Sequence, residues 1–228
     1  MYKKLLSYVL VAALALTSSI CVFGADANTS DVKTIKKESK KELKKVLATL
    51  TNTKKSAYVD LTGDGVKDLF VKGTIYTYDY KNKIVKKVIL SADEENPINK
   101  IKTLYVSKKK KRIYVTSGDD ELHGSEGYSY YLKGCFFKMK DVRKATKSEE
   151  NDYYVAREMY YVGLMKEPKK FIPKKQYKKG KKYYILNYSW NDQDDAWYDP
   201  YTTKQLKKKI KKMMPGKKKI KLKKKITI

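Results

Sequence analysis

The chain has 228 residues and carries 53 Lys and Arg against 25 Asp and Glu, a net charge of +28. With one histidine and two cysteines, it has the makings of neither a disulfide framework nor a Cys/His metal cluster. The positive charge is almost all lysine, Arg112, Arg143 and Arg157 being the arginines, which argues against base readout by bidentate guanidinium contacts.

Residues 1–25 read as a secretory signal peptide. Lys3 and Lys4 form the basic start, an apolar run follows, and small residues stand at Gly24, Ala25 and Ala27. The apolar run is short for a membrane span, and no later stretch is long enough to be one. Cleavage removes Cys21 and leaves Cys135 as a lone thiol, so the mature chain must hold itself together by packing, and by metal if it binds any. Export from a Gram-positive bacterium, to the medium or the cell envelope, fits that cysteine usage. Residues 26–228 then form a single Lys- and Tyr-rich domain.

In that domain, residues 31–50 read as an amphipathic helix, with Ser30 as cap and a stripe of Val32, Ile35, Leu43, Val46, Leu47 and Leu50 that is broken at Ser39. Residues 56–188 read as β-rich. After short strands on either side of residues 60–68, the run 69–80 has the composition of one long strand, with Val71, Ile75 and Thr77 on one face and Tyr76, Tyr78 and Tyr80 on the other. Residues 84–90, 101–106, 112–117, 128–140, 153–157 and 183–188 continue the sheet, and the lysine turn 108–111 makes a hairpin of two of them. Thr202 and Gln205 form a capping box for a helix over 202–214, which Pro215 and Gly216 end. Residues 218–228 alternate lysine with Ile220, Leu222, Ile226 and Ile228, as an edge strand guarded by lysine does. The expected fold is α+β: a mainly antiparallel β meander sheet with an N-terminal amphipathic helix and a short helix near the C-terminus.

The most distinctive stretch is residues 60–68, which read DxxGDGxxD. Asp60, Thr62, Asp64 and Asp68 offer side-chain oxygens, and Val66 stands where a backbone carbonyl completes such a ring. Gly63 and Gly65 allow the chain to fold back, so the set suits a hard cation such as Ca2+. The twelfth position is Val71 rather than Glu and the flanks read as strands, which excludes an EF-hand. A strand, this motif and a second strand resemble the calcium loops of FG-GAP and VCBS-type repeats. With the Gly124–Tyr128 run, the chain also resembles uncharacterised secreted proteins of gut Clostridia. The first resemblance implies a weak calcium site, since Thr62 stands where Asn or Asp is usual; the second implies a shared fold and no particular activity. The motif occurs once, which argues against a full propeller.

Two further clusters supply polar donors. His123 and Glu126, with Asp119 or Asp120, match a metal site or an acid–base pair, although their spacing follows no established motif and a polar turn explains them. Trp190, Trp197 and Tyr198 offer faces for sugar stacking beside Asp192, Asp194 and Asp199, or anchor a loop against the core. The expectation is a secreted surface or envelope binding module that meets polyanions such as teichoic acid or anionic glycans through its lysines. A hydrolase built on His123 and Glu126 is the alternative.

Overall fold

In a computed structural model of the protein, the described residues are 29–91, 98, 100–118, 121–123, 129–188 and 200–228. The expected signal peptide lies outside them.

The chain opens with helix α1 (Thr29–Thr49). Strands β1 (Ser56–Val59), β2 (Asp68–Val71), β3 (Thr74–Asp79) and β4 (Ile84–Ser91) follow as successive antiparallel neighbours. The expected strand over 69–80 is therefore two strands. Lys72 and Gly73 both have positive φ, 51° and 99°, the signature of a two-residue hairpin turn whose twist matches the flanking strands. Gly73 is also needed for space, because a Cβ there would lie 2.9 Å from the Ile98 carbonyl oxygen. The turn moves Val71 to the face of Leu69 and Tyr76, away from that of Ile75.

The chain then leaves this sheet to build a second one. Strands β5 (Thr103–Ser107) and β6 (Arg112–Thr116) pair as the expected hairpin, β7 (Glu121–His123) pairs with the start of β8 (Ser129–Lys138), and β8 joins β6. A short helix, α2 (Met139–Arg143), carries the chain back to the first sheet. There β9 (Thr146–Lys147) and β10 (Tyr154–Arg157) complete the order β1-β2-β3-β4-β10-β9, with β10 parallel to β4. Strand β11 (Tyr160–Met165), one-turn helix α3 (Pro168–Phe171), β12 (Tyr183–Tyr188) and β13 (Tyr201–Thr202) return to the second sheet. Helix α4 (Thr203–Met213) and β14 (Lys218–Ile220) close the chain, giving the order β13-β12-β11-β8-β6-β5-β14. The fold is α+β, mainly antiparallel, with a helix near each end, but its strands form two sheets rather than one meander.

Three apolar clusters define four layers. The central one draws Phe70, Ile75, Val88 and Leu90 from the first sheet and Leu104, Ile113, Val115, Cys135 and Phe137 from the second. On the far side of the first sheet, Leu43, Val46 and Leu47 of α1, with Leu50 just after it, pack against Leu69, Val71, Tyr58 and Tyr76. Beyond the second sheet, Leu206, Ile210, Met213 and Met214 pack against Tyr114, Phe136 and Val162. The break in the α1 stripe is part of the packed face: Ser39 is fully buried, with no partner for its hydroxyl. The α4 capping box forms as expected, the Thr202 N–H donating to Gln205 Oε1 at 2.8 Å.

The expected edge strand over 218–228 is cut to Lys218–Ile220, which pairs with β5. The chain then crosses to the first sheet, where Ser56 and Lys223 exchange backbone hydrogen bonds of 3.0 and 2.8 Å and Ile226 joins the α1 cluster. One segment thus ties both sheets together at their edge.

Candidate metal site in the β1–β2 loop

Residues 60–67 join β1 to β2, and the pairing of Val59 with Asp68 closes the hairpin beneath them. Two apolar residues pin the loop: Leu61 is fully buried and Val66 is 4% exposed. Gly63, at φ 74°, lies against Met139 of α2, whose side-chain Cβ and Sδ would be 3.2 Å from an added Cβ. The loop is therefore clamped to the segment that carries the chain from one sheet to the other.

The structure brings Asp60, Thr62, Asp64, Val66 and Asp68 into this one loop and gives each carboxylate a task. Asp60 accepts from the Gly63 N–H at 2.7 Å with Oδ1 and from the Gly65 N–H at 3.1 Å with Oδ2. Asp64 Oδ1 accepts from the Val66 N–H at 2.8 Å. Asp68 Oδ2 takes the Leu61 N–H at 2.6 Å and the Thr62 N–H at 3.1 Å, with the Thr62 hydroxyl at 3.4 Å. The bonds to the Leu61, Thr62 and Val66 N–H groups satisfy donors that would otherwise be buried unpaired.

They do not satisfy all the acids. Thr62 and Asp68 are each 1% exposed and Asp64 is 6% exposed. Asp68 Oδ1 is buried with no hydrogen-bond partner of normal geometry, the neighbouring Thr77 hydroxyl included. Burial pushes the Asp68 carboxyl well above the ordinary carboxylate range. The Asp64 and Asp60 charges raise it further, and the Leu61 N–H and Thr77 only partly oppose them. Burial likewise raises Asp64, helped by the Asp60 charge, against the Val66 N–H, the Thr62 hydroxyl and the Arg143 charge. Three acids thus crowd a largely buried loop, and the deepest of them has a spare oxygen. Among the described residues, no three His, Cys, Asp or Glu groups are gathered closely enough to hold a metal ion, because the carboxylates are spread over their separate N–H donors. A cation would have to draw them together.

Compared with known families, curated proteins and solved structures, the chain matches none of them.

The other candidates fall differently. His123 ends β7, while Glu126, Asp119 and Asp120 lie outside the described residues. Trp190, Trp197 and Tyr198, with Asp192, Asp194 and Asp199, lie outside them as well. Cys135 is a fully buried thiol on β8, packed in the central core as a small hydrophobe. Among the described residues, no helix is long and apolar enough to cross a membrane. Sequence reasoning missed Met139 and Arg143 as neighbours of the loop. They stand more than seventy residues away in the chain, and no local pattern announces them.

Proposed function

We propose that the protein is an exported bacterial surface or envelope binding module whose loop 60–68 takes calcium and whose lysine surface engages polyanions. The observation that carries the calcium reading is the partnerless, buried Oδ1 of Asp68, among acids that burial and mutual repulsion already strain. A hard divalent cation is the chemistry such a set lacks, since calcium accepts six to eight oxygens in irregular geometry and can use the free lone pairs of carboxylates that also hold N–H groups. Asp60, Asp64 and Asp68 would hold it, with the Thr62 hydroxyl and the Val66 carbonyl as weaker ligands. The bound ion would neutralise the loop and lock the hairpin against α2. Support for export comes from the N-terminal sequence, and for polyanion binding from the net charge of +28.

Thermal melting tests the metal. Ligands that bind only the folded chain stabilise it by about 2.7 kcal/mol at a hundred times the dissociation constant, and extracellular calcium modules bind at roughly 0.1–1 mM. About 10 mM calcium, roughly ten to a hundred times those constants, should therefore raise the melting temperature by several degrees, with little response to magnesium, which demands a stricter octahedron. Asp64→Ala should abolish the response and Thr62→Asp should strengthen it. Equal melting in calcium and in chelator would show that the loop is a glycine turn and nothing more.

A further inference from the structure

We infer that the layer built from residues 200–220 is the face on which the polyanion docks, and that the partner it fits is a linear polyphosphodiester chain. This rests on the polyanion reading above and gives it a place and a chemistry. The segment contains nine lysines and no Asp or Glu, and every one of those lysines is exposed. Helix α1, which covers the other sheet, differs: its seven lysines stand with Asp31, Glu38 and Glu42, and Lys45 pairs with Glu42 at 2.8 Å. The lysine bias is therefore not spread evenly, and one outer layer is purely cationic. The turn 108–111 lies beyond the end of β5 where β14 pairs, and extends the cationic surface with four more exposed lysines.

The face is also held still. The apolar side of α4 is wholly committed to the second sheet, and the end of the helix is tied down by Arg112, whose Nη1 donates to the Met213 carbonyl at 3.2 Å. Ser107 Oγ donates to the Pro215 carbonyl at 2.7 Å. Lysines on a fixed backbone need less ordering on binding than lysines on a loop. On α4, Lys204, Lys208 and Lys212 recur at about 6 Å along the axis. Lys217 and Lys219, two residues apart around the start of β14, are about 6.7 Å apart where the chain is extended. A flexible chain with one phosphate per repeat can match such a series.

The same surface argues against the other polyanions. Single-stranded nucleic acid is held by bases stacking on aromatic side chains. Here Tyr114 is 6% exposed beneath α4, Tyr184 and Tyr201 are half-buried against the same cluster, and Tyr105 is covered by the Lys217 ammonium 4.8 Å from its ring centre. Insertion into an anionic bilayer needs an apolar wedge, and among the described residues the exposed large hydrophobics are Ile84 and Phe171, both elsewhere.

The test is titration of the full chain with purified poly(glycerol phosphate) at 50 and 200 mM NaCl, using two variants of equal charge loss. One replaces Lys204, Lys208, Lys211, Lys212 and Lys219 with Gln; the other replaces Lys33, Lys36, Lys37, Lys40 and Lys44. The first should lose at least tenfold in affinity and flatten the salt dependence, since each lost phosphate contact removes about 0.7–0.9 from the slope. The second should stay within threefold of wild type. Should the first set fail to fold, the pair Lys211→Gln and Lys212→Gln replaces it, with a threefold loss expected and no change overturning the assignment. Equal losses in both variants would overturn the face while leaving the polyanion reading intact. No binding by wild type at 50 mM NaCl would overturn both. Tighter binding of an oligo-dT of equal charge to the same lysines would overturn the partner.

Discussion

The loop 60–68 and the segment 200–220 hold opposite charges under opposite conditions. The loop keeps its acids inside, with Asp64 and Asp68 almost fully covered and one oxygen of Asp68 unanswered. The segment keeps its lysines outside, in water, with every apolar side chain of α4 turned to the sheet. A buried charge has lost its hydration and must find a partner or neutralise, so its presence alone points to a ligand. An exposed charge loses little, so a single lysine says nothing. What carries information in the segment is the absence of any acid among nine lysines, set against the mixed charges of α1.

Truncation should separate the two regions most sharply. Asp68→Ala strips the acceptor from the buried Leu61 and Thr62 N–H groups and should cost about 2 kcal/mol or more in chemical denaturation, since each unsatisfied buried group costs roughly 1–3 kcal/mol. Lys208→Ala, on the exposed face, should stay within about 0.5 kcal/mol of wild type. Similar effects at both positions would mean that the loop is less buried than its geometry indicates.

The pH dependence of the calcium-free chain is the next measure. Asp68 is raised in the folded state by burial first and by its acidic neighbours second. A carboxyl raised in this way stabilises the fold while it is protonated. That contribution is complete below the ordinary value of about 4 and is lost as pH rises through the folded-state value. In chelator, the chain should therefore melt lower at pH 7 than at pH 5. Asp68→Asn, which cannot ionise, should flatten that slope, and calcium should reverse it in wild type. A slope unchanged by Asp68→Asn would place the titrating group elsewhere.

The sequence made some of this legible and hid the rest for physical reasons. The α4 capping box, the α1 stripe, the 101–117 hairpin and the glycine loop between strands all rest on local rules, and all appear. The turn between β2 and β3 escaped because lysine fills a position where glycine or asparagine usually signals positive φ, at Lys72. The division into two sheets escaped for a different reason. Strand β2 is buried on both faces, so Leu69, Phe70 and Val71 give no alternation to read. Strand β11 carries Gly163 beneath the Tyr130 ring, where the contact requires a glycine that sequence alone marks as a breaker. The spare oxygen of Asp68 depends on burial by residues far away in the chain, which no motif reports.

The smallest expected effect bears most directly on why the cationic layer exists. Lys204, Lys208 and Lys212 stand at i, i+4 intervals on α4, and like charges so placed destabilise a helix by about 0.2–0.5 kcal/mol per pair. Lys208→Glu turns two repulsive pairs into two attractive ones, so it should stabilise the chain by roughly 1 kcal/mol at low salt. The gain should fade at high salt, where exposed charges are screened. A sequence shaped for stability alone would take that gain. If Lys208→Glu melts higher and binds poly(glycerol phosphate) less tightly, the layer holds its like charges at the expense of stability for the sake of its partner, the pattern expected of a functional surface. If it melts higher and binds unchanged, the lysines are a compositional coat, and the contrast with the acidic loop reduces to one of burial.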